Sequence, residues 1–174
     1  KIPKVKKLNG QKKKIVFEDS KEGWAIGTME VCQAMWEGFD VEWDLSKLRP
    51  QGARLKTFGG RSSGPGPLDE TLHFIKHMGE AHRDRKLSSL NAFDIVTKIA
   101  NSVVVGGVRR SSIITLSDLY DNGMRDAKQG QFWMTNGHRA MSNNSAIYDS
   151  KPNSIEFMKE WLALAESGTG ERGI

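Results

Sequence analysis

Two glycine- and arginine-rich segments divide this chain and limit what it can fold into. The first runs from Ser46 to Pro67, Ser-Lys-Leu-Arg-Pro-Gln-Gly-Ala-Arg-Leu-Lys-Thr-Phe-Gly-Gly-Arg-Ser-Ser-Gly-Pro-Gly-Pro, and the second from Gly106 to Ser112, Gly-Gly-Val-Arg-Arg-Ser-Ser. Glycine and proline at the density of the first cannot continue a helix or a central strand, so that segment is a loop between regular elements. Gly106 and Gly107 likewise stop whatever precedes them. The regular elements must therefore lie before, between and after these two breaks.

Those stretches alternate between helical and strand periodicity. Asp19 followed by Glu22 reads as a capping-box start, and Trp24, Thr28, Val31 and Met35, flanked by Ala25, Cys32 and Trp36, form an apolar stripe at helical spacing. Gly38 closes that helix, and Val41 to Leu45 alternates like a strand leading into the first loop. A second helix is expected from about Leu68 to His77 with Leu68, Leu72 and Ile75 inward. A third starts near Ser89 with Phe93, Val96, Ala100 and Val103 on one face. Val108 to Leu116 has strand spacing, a short helical stretch follows Ser117, Met141 to Ile147 is polar, and a last helix from Ser154 aligns Ile155, Met158, Leu162 and Ala165 before Gly168. Helices interleaved with single strands argue for an α/β fold, in which ligands sit at strand ends.

Charge is concentrated at one end. Residues 1–14 carry seven lysines and no acid, which leaves 19 basic against 21 acidic residues in the remainder. Asn9-Gly10 sits between Val5, Leu8 and Ile15, Val16, Phe17, so residues 1–17 are expected to form a basic β-hairpin. Its lysines read either as a solvated edge that resists strand pairing or as a phosphate or nucleic-acid contact. The local charge and the lack of interleaved aromatics argue against a nucleic-acid module, so nucleic acid is not the expected partner.

No apolar run approaches the ~18 residues of a membrane span, so no membrane association is expected. The only cysteine, Cys32, falls on the first helical stripe and reads as a small buried hydrophobe. It cannot form an internal disulfide, so a reducing, cytoplasmic setting is expected.

The chemistry these residues suit is nucleotide handling. Arg49, Arg54, Lys56 and Arg61 supply charge and planar donors, while Gly52, Gly59, Gly60 and Gly64 permit close backbone approach. Metal binding is a poorer fit: His73 and His77 share a helix face, but no carboxylate or cysteine completes a ligand set, and His73, His77, His82 and His138 are expected at the surface. Gly168-Thr-Gly-Glu-Arg-Gly173 matches G-x-G-x-x-G yet follows a helix, the reverse of a dinucleotide site.

Six blocks occur together in one order: Glu18-Asp-Ser-Lys-Glu-Gly-Trp24, Asp44-Leu-Ser-Lys-Leu-Arg-Pro-Gln-Gly-Ala53, Lys56-Thr-Phe-Gly-Gly-Arg-Ser-Ser-Gly-Pro65, Gly106-Gly-Val-Arg-Arg-Ser111, Ser142-Asn-Asn-Ser145 and Gly168-Thr-Gly-Glu-Arg-Gly-Ile174. In that order the chain resembles the adenosylcobalamin-dependent, class II ribonucleotide reductases, most closely their monomeric triphosphate-reducing branch. The resemblance implies part of a ten-stranded α/β barrel, a fragment of one half-barrel with flanking helices. Residues 1–17 would be the hairpin and 18–174 the partial barrel, with an effector and substrate loop at 46–67.

It also implies a ribonucleotide substrate, a deoxynucleotide effector, a thioredoxin-like reductant and adenosylcobalamin, with most of the cofactor's site outside this chain. Lys47, Arg49, Gln51, Gly52, Ala53 and Arg54 match the loop that carries a signal from effector to substrate base. Asp19 is placed to hold an effector ribose, although an N-cap role also explains it. Asn143 and Asn144 would line the barrel interior, and Arg109 and Arg110 would flank a barrel strand. The family's Asn-x-Cys-x-Glu radical motif is expected just beyond Gly-Glu-Arg-Gly-Ile, so no catalytic residue is assigned in this chain, Glu171 included. The alternative reading is a non-catalytic, nucleotide-binding regulatory domain.

Overall fold

A computed structural model describes residues 2–55, 59–105, 108–109 and 112–174. Along the chain these form β1 (Lys12–Val16), α1 (Lys21–Glu37), β2 (Asp40–Asp44), α2 (Gly66–Ala81), α3 (Ser89–Ser102), β3 (Val104–Val105), β4 (Val108–Arg109), β5 (Ile113–Asp118), α4 (Asn122–Arg125), α5 (Phe132–Thr135), β6 (Ser142–Ile147) and α6 (Ser154–Ser167), with a 3-10 turn at Gly137–Met141. The class is α/β, as the alternation of periodicities requires. The chain divides into two compact units, one of residues 1–88 with 101–110, the other of 89–100 with 111–174.

In the first unit β1 and β2 pair in parallel, Lys12 opposite Asp40 through Val16 opposite Asp44. This replaces the hairpin expected over residues 1–17. The strand that would have paired with β1 has its backbone committed elsewhere: Val5 N–H donates to the Arg85 carbonyl, Lys6 to Trp36 and Asn9 to Gly38. Gly10 does take a positive φ of 79°, but the turn delivers β1 to β2 and not back onto residues 5–8.

The lysines follow from that pairing. Lys12 meets Glu42 at 2.7 Å and Lys14 meets Asp44 at 3.0 Å, while Lys4 and Lys7 both reach Asp84. Four lysines of the basic run are thus matched by acids, and their side chains stay more than half exposed.

The core of this unit is apolar and close-packed. Val5, Phe17, Val31, Met35, Leu68, Leu72 and Ile75 are buried, which bears out the inward faces expected of α1 and α2. Helix α1 ends at Gly38, whose φ of 92° is the left-handed C-cap. A Cβ at Gly38 would collide with the Lys7 carbonyl, so the position needs glycine on two counts.

The second unit has a small apolar cluster of Phe93, Met124 and Ala127, with Leu90 against it. Strands β5 and β6 pair in parallel, Ile113 opposite Ser142 through Asp118 opposite Ile147. Gly173 adds a further parallel rung on β6: its N–H donates to the Asn144 carbonyl at 2.7 Å and its carbonyl accepts from Ala146 N–H at 2.9 Å.

The polar run expected at Met141 to Ile147 is thus a strand from Ser142 onward. The expected face of α3 is also revised, since Phe93, Asp94, Thr97 and Ala100 are buried while Val96 and Val103 are exposed. A polar pair displaces the valines because Asp94 has partners waiting inside, described below. Helix α6 keeps its expected bounds, yet Ile155, Met158 and Leu162 are exposed.

Candidate functional site

Strand β2 delivers the chain into the 46–67 loop, and its last residue fixes the entry. Hydrogen bonds from the Ser46 hydroxyl and backbone N–H, helped by Lys14, hold the Asp44 carboxyl well below the usual carboxylate range. Leu48 N–H then closes a turn on the Leu45 carbonyl, and the Leu48 side chain is buried as an anchor. The two cations flanking that anchor are both tethered to the segment before α1. Lys47 pairs with Glu18, and Arg49 Nε donates to both Asp19 oxygens, at 2.8 and 3.0 Å.

Beyond Pro50 the loop folds back on itself. Gly52 N–H donates to Ser62 O, Ser62 N–H to Ala53 O and Leu55 N–H to Gly60 O, with Arg54 and Arg61 opposite each other on an antiparallel bridge. Gly52, Gly59, Gly60 and Gly64 all have positive φ, between 65° and 86°. The backbone reversal requires that left-handed geometry. Gln51 packs against the turn at Gly64 so closely that a Cβ there would meet Gln51 N at 2.9 Å.

Arg61 donates to the Gly52 carbonyl at 3.0 Å, whereas Arg54 makes no hydrogen bond or ion pair among the described residues. Together with Leu55, Gly59 and Gly60 the two arginines line a concavity of about 400 Å³. Like charges at directly opposed bridge positions are mutually unfavourable, a cost that an anion bound between them would relieve. Lys56 and Phe58 of this loop, and Gly106, Gly107, Arg110 and Ser111 of the second segment, lie outside the described residues. A larger concavity of about 700 Å³ opens between β2 and α2, lined by Glu42, Trp43, His73, Lys76, His77 and Glu80 among others. Its charges are mixed, which suits it less to a phosphate.

The structure brings Lys47, Arg49 and Asp19 together and sets Gln51, Gly52, Ala53 and Arg54 on the adjoining ladder. It also corrects the reading of Asp19 as a helix cap. Ser20 caps α1, its hydroxyl accepting from Gly23 N–H at 2.9 Å, so Asp19 is left to Arg49. Cys32 is buried in α1, and burial pushes its thiol up to about 11, which keeps it neutral and unreactive.

Asn143 and Asn144 cannot line the same interior, because successive strand residues point to opposite faces. Asn144 is buried on the covered face, while Asn143 lies on the open face with Ile114 and Leu116.

Sequence reasoning missed three buried charge clusters in the second unit. Asp94 accepts from Arg139 Nε at 2.6 Å and from an Arg139 terminal nitrogen at 2.8 Å, with His138 Nε2 at 3.1 Å. Burial pushes its carboxyl up, but the hydrogen bonds and charges of Arg139 and His138 outweigh this and leave it lowered. His138 is therefore an inside residue and not a surface one, unlike the exposed His73 and His77.

Lys128 pairs with Glu171 at 3.1 Å, and Glu171 also accepts from Asn144 N–H at 2.6 Å. Arg172 donates to both Glu160 oxygens, to Ser117 Oγ and to the carbonyls of Asp118 and Leu119. The Gly-Glu-Arg-Gly segment thus fixes a strand. Among the described residues no three metal-ligating side chains converge, and no helix is long and apolar enough to cross a membrane.

Residues 5–78 match the family model described as "B12-dependent ribonucleotide reductase, insertion domain". The chain is 33% identical over 162 residues to an adenosylcobalamin-dependent ribonucleoside-triphosphate reductase of Lacticaseibacillus paracasei, covering 90% of this chain and 21% of that protein. It is 35% identical over 137 residues to the protein of the same name from Euglena gracilis, covering 76% of this chain and 18% of the other. A crystal structure of a B12-dependent, class II ribonucleotide reductase superposes with a TM-score of 0.68 at 28% identity, covering 79% of this chain and 19% of its own. The chain therefore spans about a fifth of the length of the curated relatives it matches.

Proposed function

We propose that this chain, which belongs to the B12-dependent ribonucleotide reductase family, is a segment of an enzyme that reduces ribonucleotides to deoxyribonucleotides for DNA synthesis. Similarity across nine-tenths of the chain to reductases of that name carries the reading. The segment's own share is the loop at 46–54, through which a bound deoxynucleotide effector influences recognition of the substrate base. The physical support is a polar loop anchored at Leu48, folded about glycines with positive φ, and carrying one arginine without a partner among the described residues. Such a loop can offer different contacts in different conformations, which allosteric communication requires.

The second unit suits a place in a ten-stranded α/β barrel. Its parallel rungs run β5, β6, Gly173, and one sheet face exposes Ile114 and Leu116, as the unfinished side of a larger sheet would. Asn143 is on that open face and is the better candidate of the two asparagines for an interior.

The radical and reducing thiols are assigned to the parent protein and not to this chain. Cys32 does not fit either role, because it is buried, neutral and on the packed stripe of α1. Adenosylcobalamin, when bound, supplies the radical that begins the chemistry, and its site likewise belongs mostly to the parent protein. A thioredoxin-like reductant and a cytoplasmic setting complete the proposal, and this segment alone is expected to be inactive.

Photo-crosslinking with a deoxynucleoside triphosphate carrying a photoreactive base, followed by peptide mapping, tests the loop assignment. Label within 46–67 is the expected result. Label confined to other segments, or none at saturating nucleotide, would overturn it.

A further inference from the structure

The two cations expected to read nucleotides are both paired with acids. Glu18 and Asp19 are consecutive, Lys47 and Arg49 flank the buried anchor Leu48, and the four side chains pair one to one. Neither acid is needed by the helix that follows, because Ser20 caps it. We propose that Glu18 and Asp19 form a restraint that holds the loop until a triphosphate takes over Lys47 and Arg49. The inference rests on the reading of 46–54 as a nucleotide-responsive loop and assigns Asp19 a role other than gripping a ribose.

Three features of the geometry favour a displaceable restraint. First, both Asp19 oxygens are engaged by one Arg49 N–H, at 2.8 and 3.0 Å, so a ribose hydroxyl would have to compete for an acceptor already in use. Second, this is not the two-pronged guanidinium fork that makes an arginine–carboxylate pair strong. One Arg49 terminal nitrogen reaches the Asp19 carbonyl at 3.5 Å, and the other has no partner among the described residues. An incoming phosphate can engage that free nitrogen before the carboxylate lets go.

Third, the pairs are open to water. Side-chain exposure is 30% and 33% for Arg49 and Asp19, and 53% and 61% for Lys47 and Glu18. Ion pairs this exposed each shift an equilibrium by no more than about fivefold. A triphosphate carrying three to four charges outcompetes them readily, and unpartnered Arg54 adds attraction from the same loop.

Exchange of partners moves the loop. Once Arg49 leaves Asp19, Pro50 and Gln51 are no longer tied to the start of α1, and Gly52, with a φ of 86°, is the natural pivot toward the ladder. The restraint lowers affinity by the fraction of molecules it holds closed, so removing it must tighten binding.

The test is calorimetric titration of the chain and its Asp19→Asn variant with tripolyphosphate and with each of the four deoxynucleoside triphosphates. The restraint predicts that Asp19→Asn binds tripolyphosphate and nucleotide more tightly, by about twofold to threefold. Glu18→Gln should shift both in the same direction by a smaller factor, which guards against misfolding of one variant. Weaker nucleotide binding with unchanged tripolyphosphate binding would make Asp19 a ribose contact and overturn the inference. Unchanged affinity for both ligands would overturn it as well. Absence of binding to the unaltered chain and both variants would instead remove the nucleotide-loop reading itself, and the restraint with it.

Discussion

The two units of this molecule use ion pairs in opposite ways. In the first, Lys47–Glu18 and Arg49–Asp19 are half exposed and join a loop to the start of a helix. In the second, Arg172–Glu160, Lys128–Glu171 and Arg139–Asp94 are mostly buried, and each cation also donates to a backbone carbonyl. A water-exposed pair is weak and exchangeable, while a buried pair with every lone pair satisfied cannot be opened without stranding a charge. The contrast separates a region built to respond from one built to stay in register.

The largest predicted effect lies in the buried set. Arg172→Ala leaves Glu160 charged and unpaired, and should lower unfolding stability by about 3–5 kcal/mol in urea denaturation followed by tryptophan fluorescence. The double change Arg172→Met with Glu160→Leu should recover most of that loss. A deficit in the double variant as large as in the single would show that charge burial is not what the node depends on.

Next in size is Asp94→Asn, expected to cost about 2–3 kcal/mol at neutral pH by breaking charge-assisted bonds to Arg139 and His138. The pH dependence has a definite sign. The folded pKa of Asp94 lies below its ordinary 3.8, so its contribution is complete above that value and drains away as pH falls through the folded value. Stability curves of the two proteins should therefore converge below about pH 4. Parallel curves would rule out this assignment.

The smallest effects sharpen the exposed side. Ser20→Ala should cost about 1 kcal/mol because it removes the α1 cap. Asp19→Asn should change stability by less than about 0.5 kcal/mol, since it gives up only an exposed pair. Equal losses at the two positions would return the capping role to Asp19.

Much of the fold was legible because helices announce themselves locally. The stripes of α1 and α2, the stop at Gly38 and the start of α6 before Ser154 all follow from spacing and caps that any reader of the sequence can find. Strand β6 was not legible, since Ser142-Asn-Asn-Ser145 has no apolar alternation. It is a strand because β5 and Gly173 pair with its backbone, and Lys128 and Glu171 bond to further backbone groups at Ser142 and Asn144. The N-terminal hairpin failed for a related reason: Asn9-Gly10 specifies a turn but not which strand receives the chain after it.

The candidate loop was visible in its glycines and arginines. Its restraint was not, because Asp19 beside a helix start reads as a cap until Ser20 is seen to fill that place. The buried clusters gave no signal at all. Arg172 finds Ser117 and Asp94 finds Arg139 across 55 and 45 residues, distances at which no spacing rule operates.

Hydrogen–deuterium exchange of the chain with and without a saturating deoxynucleoside triphosphate tests the contrast between the units most directly. The account predicts that nucleotide changes exchange in residues 46–55 and leaves Ser142–Ile147 and the Gly173 amide as they were. Unchanged exchange in the loop, or an equal change spread across both units, would contradict it.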